Sequence, residues 1–171
     1  MNRISIVLVA VAALAAGCSK KDGDKAGGDK AGGDKAAAKS GGAPAAVKLP
    51  TLGLALDAPG EVKVDKAMMG EGHMLTGPGV GAMQVETAKA AQTLDEAKED
   101  AKMYNPANLK TETLPDGWTM TFENKGAMGT NYWVDVRRTI DGKSYKCTTT
   151  GSEAGQAAAV LAACKSLRKG S

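Results

Sequence analysis

Four side chains that can bind a soft metal ion fall within seven residues of this sequence. They are Met68, Met69, His73 and Met74. Thioether and imidazole groups are ligands that suit Cu(I), so the segment is a candidate copper site. Methionine also fills gaps in cores that have few aromatic side chains, and aromatic residues make up only 4% of this chain. We expect the methionines to pack in the core, with Cu(I) binding by the four residues as the alternative.

His73 is the only histidine in the sequence. A serine nucleophile would need it as the base, and it stands in a glycine-rich stretch without the motif of a nucleophile elbow. The stretch Gly77–Gly81 lacks the spacing of a dinucleotide-binding loop and predicts a turn instead. We expect the carboxylates of Glu99 and Asp100 on the solvent side of a helix. The sequence therefore predicts a protein that is not an enzyme and uses no cofactor.

The beginning of the chain has the pattern of an export signal. Arg3 supplies a positive charge, and residues 4–17 form an uncharged, mostly apolar run that ends in small side chains. A membrane-spanning helix needs about 20 apolar residues, and Lys20 and Lys21 cut this run short. We therefore predict a signal peptide at residues 1–17.

The end of that run resembles the lipobox of bacterial lipoproteins. The residues concerned are Leu14-Ala15-Ala16-Gly17-Cys18. The resemblance implies cleavage before Cys18, diacylation of its thiol and acylation of the new amino group, and several acyl chains give lasting attachment to a lipid bilayer. Lipoproteins retained at the inner membrane usually carry aspartate after the cysteine, and here Ser19 follows. The resemblance therefore implies sorting to the outer membrane.

Residues 18–46 are predicted to be the lipidated cysteine and a disordered tether. From residue 19 to 46 there is no Val, Ile, Leu or aromatic side chain, and the pentapeptide Ala-Gly-Gly-Asp-Lys recurs from Ala26 and from Ala31. Such a composition cannot form a core. A flexible coil of this length has a root-mean-square span of roughly 30 Å. It would hold a folded domain, residues 47–171, away from the bilayer.

The folded domain has no surplus of positive charge. From Val47 onward the chain has 15 basic and 15 acidic residues, so the net charge of +3 belongs to the segment before it. A protein that neutralises several phosphates needs a basic surface on its folded part. Nucleic acid is therefore not an expected partner.

Apolar periodicity in the first half of the domain predicts strands and one helix. Residues 52–56 and 61–64 alternate around the turn at 57–60 and read as a hairpin, and residues 80–87 predict a further strand. Thr93 and Glu96 form a capping box that begins a helix, which Asn105-Pro106 ends. The core-facing side of this helix is predicted to carry Leu94, Ala97, Ala101 and Tyr104.

The second half predicts a meander of four strands and a final helix. The strands are residues 109–114, 118–123, 132–140 and 143–149, with Trp118, Met120 and Phe122 on a buried face. Asp141-Gly142 is a strong hairpin signal that sets Val136 opposite Cys147. The helix is predicted from Ser152 to Gly170, with an inward stripe of Ala157, Val160, Leu161, Cys164 and Leu167.

This register brings the two remaining cysteines into one layer of the core. Cys147 lies on the inner face of a strand, and Cys164 lies on the inner face of the helix that follows. In an exported chain such a pair predicts a structural disulfide. The spacing is not C-x-x-C, and zinc would lack two of its four ligands.

The predicted class is α+β: an antiparallel sheet, made of a hairpin and a four-strand meander, with a mid-chain helix and a C-terminal helix packed on it. This order loosely resembles that of PsbP-like domains over residues 52–167, a resemblance that implies no activity. The sequence thus predicts a non-enzymatic, membrane-anchored envelope lipoprotein that binds an envelope protein or another envelope component. The alternative is binding of a small ligand or Cu(I) through the Met68/Met69/His73/Met74 segment.

Overall fold

The structure is a computed structural model that describes residues 43–68, 70–88 and 91–170. The predicted signal peptide, Cys18 and the predicted tether as far as residue 42 lie outside the described residues, and so does Met69. Over the described ranges the chain forms ten β-strands and two α-helices, and the strands are antiparallel to their neighbours. The predicted α+β class is confirmed.

Seven of the strands form one sheet. Their order across it is β3-β4-β5-β9-β8-β7-β6. In chain order these strands are β3 (Lys63–Lys66), β4 (Gly72–Gly77), β5 (Gly81–Thr87), β6 (Ala107–Leu114), β7 (Gly117–Gly126), β8 (Gly129–Ile140) and β9 (Lys143–Gly151). A second sheet has the order β1-β2-β10. It consists of β1 (Pro44–Leu49), β2 (Leu54–Pro59) and β10 (Arg168–Lys169).

The predicted hairpin over residues 52–64 is wrong, although both of its strands exist. β2 pairs with β1 and β10, whereas β3 pairs with β4 in the other sheet. β1 begins at Pro44, inside the segment that composition assigned to the tether. Its Ala45 and Ala46 carry no strand signal of their own, and they pair with β2 at Ala58 and Asp57. Alternation shows that a segment is extended, but it does not show which strand becomes its neighbour.

The predicted four-strand meander is confirmed. β6, β7, β8 and β9 are consecutive neighbours in the sheet. Asp141 and Gly142 have φ of 51° and 74°, the left-handed values that a two-residue type I′ turn requires. This turn sets the pair Val136↔Cys147, as predicted. The sheet then continues beyond the meander, because β5 pairs with β9.

The C-terminal helix α2 (Ala154–Lys165) is shorter than predicted at both ends. Its N-cap is Glu153, and its C-cap is Ser166. The Ser166 hydroxyl donates to the carbonyl of Ala163 and accepts the backbone N–H of Asp57 at 2.7 Å. Arg168 was predicted to lie in the helix. It instead begins β10, and its side chain forms an ion pair with Asp57. Contacts with β2 therefore end the helix before Arg168 and Lys169.

The larger core lies between α2, the second sheet and one face of the seven-stranded sheet. Its members have no exposed surface or almost none: Leu49, Leu54, Leu56, Ala58, Leu75, Val80, Met83, Val85, Val134, Val136, Tyr145, Cys147, Val160, Ala163, Cys164 and Leu167. Cys147 and Cys164 lie at disulfide distance, with their Cα atoms 5.7 Å apart, as predicted. Closing the loop between Cys147 and Cys164 with a disulfide adds about 3 kcal/mol to the free energy of unfolding in chain-entropy models.

The mid-chain helix α1 (Leu94–Ala101) packs on the opposite face of the seven-stranded sheet. Thr93 and Glu96 form the predicted capping box. The helix buries Ala97 and Ala101 in a smaller cluster with side chains of β7. These are Trp118, Met120 and Phe122, the predicted buried face of that strand. With only eight residues, α1 covers just part of this face, and the uncovered part contains the candidate site.

Candidate functional site

Polar and aromatic side chains line a depression beside α1, which we call the trough. Its floor consists of alternate residues of β5, β8 and β9, because successive side chains of a strand point to opposite faces of the sheet. The floor residues are Gln84, Glu86, Trp133, Asp135, Arg137, Lys146, Thr148 and Thr150. The wall on the helix side includes Gln92, Ala97, Asp100, Ala101 and Tyr104. The deeper part of the trough has a volume of about 590 Å³, within the range of small-ligand sites.

The strand register arranges the floor in rows. Arg137 stands directly opposite Lys146, which stands opposite Glu86 on the next strand. One step along, Asp135 stands opposite Thr148. On the other side of β8, Trp118 and Met120 of β7 stand opposite Arg137 and Asp135. Each row therefore runs from an aromatic or apolar residue of β7 to polar residues of β5.

Asp135 and Arg137 contain two buried polar atoms without partners. The Oδ1 atom of Asp135 and the Nε atom of Arg137 are almost completely buried, and neither forms a hydrogen bond within the described part of the chain. They form an ion pair with each other at 3.8 Å, a distance that is too long for a hydrogen bond. Leaving a buried polar group unsatisfied costs free energy, about 1–3 kcal/mol and more for a charged group. This pair is the feature of the trough that most requires a physical explanation.

The rest of the Arg137 guanidinium is held in place. Its Nη2 donates to the Oε1 atom of Gln92 at 2.8 Å. Its Cζ lies 6.0 Å from the ring centroid of Trp118, at the limit of a cation–π contact. The indole of Trp118 in turn donates to the carbonyl of Gln92 at 3.0 Å. The Nε–H of Arg137 thus has a fixed direction while it lacks an acceptor.

Burial raises the pKa of Asp135 above its ordinary value. The positive charges of Lys146 and Arg137 act in the opposite direction, and the negative charge of Glu86 adds to the increase. Desolvation has the largest effect, because burial removes water from the carboxylate and disfavours its charged form. Perturbed carboxyl groups in depressions are common at functional sites.

Aromatic rings form one end of the trough. The rings of Trp133 and Phe122 are stacked with their centroids 5.3 Å apart, and the ring of Tyr104 is tilted 4.5 Å from Trp133. Trp133 also donates its indole N–H to Asn124 at 2.9 Å, which fixes the ring. Tyr104 is 40% exposed and lies at the mouth. This end offers an apolar surface that is partly open to solvent.

The structure separates the residues of the predicted copper segment. His73 is buried and points into the larger core side, whereas Met74 points to the opposite face and lines the trough. Met68 is 88% exposed. Met69 lies outside the described residues. The prediction that the methionines pack in the core is wrong for Met68, and Met74 is only partly buried.

Both ring nitrogens of His73 already have protein partners. The Nε2 atom accepts from the backbone N–H of Thr51 at 3.3 Å and lies 2.6 Å from the Thr51 hydroxyl oxygen. The Nδ1 atom lies 3.3 Å from the carbonyl oxygen of Asp65. The two contacts assign the ring proton to Nδ1. His73 therefore links the short 3-10 helix Pro50–Leu52 to β3 and β4.

The sequence analysis missed Asp135, Arg137 and Lys146. In the segment Trp133-Val134-Asp135-Val136-Arg137 the polar residues alternate with valines, a pattern typical of a strand with one solvated face. The available signal was the aromatic residue within that polar series, since Trp133 shares its face with both charges.

Neither a membrane-spanning helix nor a cluster of metal ligands is found among the described residues. None of the helices in the described ranges is both long enough and apolar enough to span a bilayer. Within the same ranges, no three His, Cys, Asp or Glu side chains converge in a way that could hold a metal ion. Comparison of the chain with protein-family models and with curated proteins gave no match.

Proposed function

We propose that this protein is a membrane-anchored lipoprotein of the bacterial envelope, whose folded domain binds an envelope component in the trough without catalysing a reaction. The membrane anchor is the acylated Cys18, and the outer membrane is the proposed location. The support is the resemblance of residues 14–18 to a lipobox, the apolar run before them and Ser19 after them.

Binding at the trough is supported above all by its shape and lining. Aromatic rings, Trp133 among them, form one end, and the ion pair of Asp135 and Arg137 lies on the floor beside them. Depressions that combine apolar surface with a few polar groups are the usual form of small-ligand sites. The surrounding volume of about 590 Å³ suits a small component better than a protein partner.

A role without catalysis is supported by the composition of the trough. The only histidine, His73, is engaged by Thr51 and Asp65 on the other face of the sheet. The hydroxyl groups of the floor belong to threonines, and among the described residues none of them is hydrogen-bonded to a carboxylate that could act as its base.

Cu(I) binding by Met68, Met69, His73 and Met74 is the second candidate, and its support is weaker. A shared Cu(I) ion would need His73 and Met74 to converge, although consecutive strand residues point apart. Isothermal titration of Cu(I) into the full-length protein tests it: saturable heat at micromolar metal would favour this function, and its absence would end it.

Site-specific photocrosslinking in cells tests binding at the trough. A photoreactive benzoylphenylalanine replaces Thr150, an exposed floor residue, and Lys143, an exposed residue at the β8–β9 turn, serves as the matched control. We expect an adduct of one defined mass at position 150 and none at position 143. Equal labelling of both positions, or no adduct at position 150, would contradict the proposal.

A further inference from the structure

We infer that the open edge of the seven-stranded sheet binds the same edge of a second copy of this chain, through antiparallel pairing of β6 with β6 centred on Thr111. The surface concerned is the outer edge of β6 (Ala107–Leu114). It is a different surface from the trough, so this inference goes beyond the proposed function and is tested separately from it.

β6 is an edge strand with a long exposed stretch. It stands last in the order of the larger sheet, and all of its residues from Ala107 to Thr113 are exposed. The outward backbone N–H and C=O groups of an edge strand are a template on which another extended strand can pair. The strand at the opposite edge, β3, has only four residues. β6 is therefore the longer of the two edges of this sheet.

The strand ladder shows which backbone groups of β6 point outward. The N–H of Thr139 on β8 donates to the carbonyl of Asp116 at 2.6 Å. Even-numbered residues of β7 therefore direct their backbone groups to β8, and odd-numbered ones direct theirs to β6. These odd-numbered residues stand opposite the even-numbered residues of β6 between Lys110 and Leu114. The backbone groups that point away from the sheet in this stretch thus belong to Thr111 and Thr113.

The charges of β6 favour one register of self-pairing. When the pairing is centred on Thr111, Lys110 stands opposite Glu112 of the second copy, and Glu112 stands opposite Lys110 of the second copy. These are non-hydrogen-bonded pairs, whose Cα atoms are about 4.5 Å apart and whose side chains are closest. Moving the centre by one residue, to Lys110 or to Glu112, would place like charges opposite each other, which is destabilising. The alternation of charge therefore selects the register centred on Thr111.

Both charged side chains can make these contacts. Lys110 forms no ion pair within residues 43–68, 70–88 and 91–170. Glu112 binds the ammonium group of Lys165, at the end of α2, at 2.8 Å. A carboxylate has acceptor sites for more than one donor, so it can bind a second ammonium group at the same time. In the pair of copies, Glu112 would lie between Lys165 of its own chain and Lys110 of the other.

The geometry of the pair places both troughs on one side. The two-fold axis of an antiparallel strand pair is perpendicular to the sheet, so the two copies present the same face in the same direction. The bulge between Ala107 and Lys110 confines the pairing to the residues after it. One strand pair buries less area than stable dimers do, and we expect weak association. The proposed attachment of both copies to one bilayer would raise their local concentration.

Cysteine cross-linking of the full-length protein tests the pairing and its register. Thr111→Cys places a thiol on the two-fold axis, where the Cα atoms of a hydrogen-bonded pair are about 5.5 Å apart, within the range of a disulfide. Diamide joins the two thiols by an S–S bond and takes up their two hydrogen atoms. Thr113→Cys is the matched control, because this position is exposed on the same strand but lies more than about 10 Å from its copy in the second chain.

We expect the disulfide-linked dimer to form at least about fivefold faster with Thr111→Cys than with Thr113→Cys. The parent chain, treated in the same way, corrects for cross-links through Cys18. Equal rates at the two positions would mean random collision and would overturn the inference. The absence of a dimer with Thr111→Cys would overturn it as well.

Charge reversal tests the contacts that select the register. In the Thr111→Cys background, Lys110→Glu faces Glu112 of the second copy, and we expect cross-linking at least about fivefold slower. Adding Glu112→Lys makes the opposed charges opposite in sign again and should restore most of the rate. Lys143→Glu makes the same change at the exposed β8–β9 turn and should have no effect.

Circular dichroism checks that each charge variant folds. A folded Lys110→Glu variant that cross-links as fast as its parent would overturn the inference. A double variant that remains as slow as Lys110→Glu alone would overturn the register centred on Thr111.

Discussion

Arg137 and Arg138 are consecutive in the chain, yet their side chains lie on opposite faces of the seven-stranded sheet. They also differ in how fully they are hydrogen-bonded. Arg138 donates through Nε to both carboxylate oxygens of Asp116, at 2.8 and 2.9 Å, and through Nη1 to the carbonyl of Lys165 at the end of α2. Arg137 has one hydrogen bond, to Gln92, and a buried Nε without a partner. Within the described part of the chain, Arg138 is thus held by several hydrogen bonds, whereas Arg137 keeps a buried donor without a hydrogen-bond acceptor.

The same contrast holds for whole faces of the central strands. Leu75, Val85, Val136 and Cys147 are fully buried on the face covered by α2 and the second sheet. Their strand neighbours Met74, Glu86, Arg137 and Lys146 are only partly buried on the face with the trough. We expect the first face to supply most of the stability, and we propose the second as the binding face. Because the strands are shared, substitutions at adjacent positions can test each face separately.

The largest expected difference is between Leu75 and Met74. Leu75→Ala removes a fully buried side chain and should lower the free energy of unfolding by about 2–5 kcal/mol. Met74→Ala, one residue away on the trough face, should lower it by less than about 1 kcal/mol, because that side chain is already partly exposed. Urea denaturation of the two variants measures this. Equal losses would mean that the trough face carries as much of the core as the other one.

The disulfide between Cys147 and Cys164 is expected to have the next largest effect. It joins β9 to α2 across the covered face, and reduction should destabilise the domain by about 2–4 kcal/mol. Thermal unfolding with and without a reductant measures the loss, and the Thr148→Ala variant, altered only on the trough face, should lose the same amount. Free thiols at both positions in protein taken from the envelope would contradict the bridge.

The two arginines give a third, smaller difference. Arg138→Gln breaks a bidentate ion pair and leaves the carboxylate of Asp116 without its partner, so we expect a loss of about 1.5–3 kcal/mol. Arg137→Gln removes one hydrogen bond to Gln92 and an ion pair with Asp135 that is longer, at 3.8 Å, so we expect a smaller loss. Chemical denaturation under identical conditions compares the two. A greater loss at Arg137 would show that the trough is needed for folding.

The stability should also depend on pH through Asp135. Burial raises the pKa of Asp135 in the folded protein. The positive charges of Lys146 and Arg137 lower this pKa, and the negative charge of Glu86 raises it. The folded state therefore holds this proton more tightly than the unfolded state, and stability falls as the pH rises from the unfolded pKa through the folded one. Asp135→Asn lacks this loss. Its melting temperature should exceed that of the parent above this window, and the difference should shrink below it.

Exposed Glu61→Gln is the control for the pH series, since that side chain lies away from Asp135 and its charged neighbours. If Asp135→Asn and the parent differ by the same amount at every pH, titration of Asp135 is not coupled to folding.

The smallest effect is expected from deletions in the tether. Comparing two deletions shows at which residue the chain begins to stabilise the domain. Deletion of residues 19–43 removes no residue of β1 and should move the melting temperature by no more than a few degrees. Deletion of residues 19–46 also removes Pro44, Ala45 and Ala46, which pair with Pro59, Ala58 and Asp57, and should lower it further. Equal melting temperatures for the two deletions would show that this end of β1 adds no stability.

Local signals in the sequence predicted the parts of the fold that depend on neighbouring residues. The Thr93/Glu96 box begins α1, and the Asp141-Gly142 turn fixes the register that places Cys147 toward Cys164. The partners of β2 could not be predicted, because β1 carries little strand signal in its own sequence and β10 lies at the other end of the domain. The trough was missed for the same reason. Whether Asp135 faces water or a partly closed depression depends on where α1 packs, and strand periodicity contains no information about that.

A titration followed by NMR tests the central claim most directly, namely that one face of the sheet binds while the other supports the fold. The full-length protein, labelled with ¹⁵N and at methyl groups, is titrated with the small-molecule fraction of an envelope extract. We predict that the indole N–H signals of Trp118 and Trp133 shift, whereas the methyl signals of Leu75 and Val136 do not. Unchanged indole signals, or equal shifts on the two faces, would contradict the account.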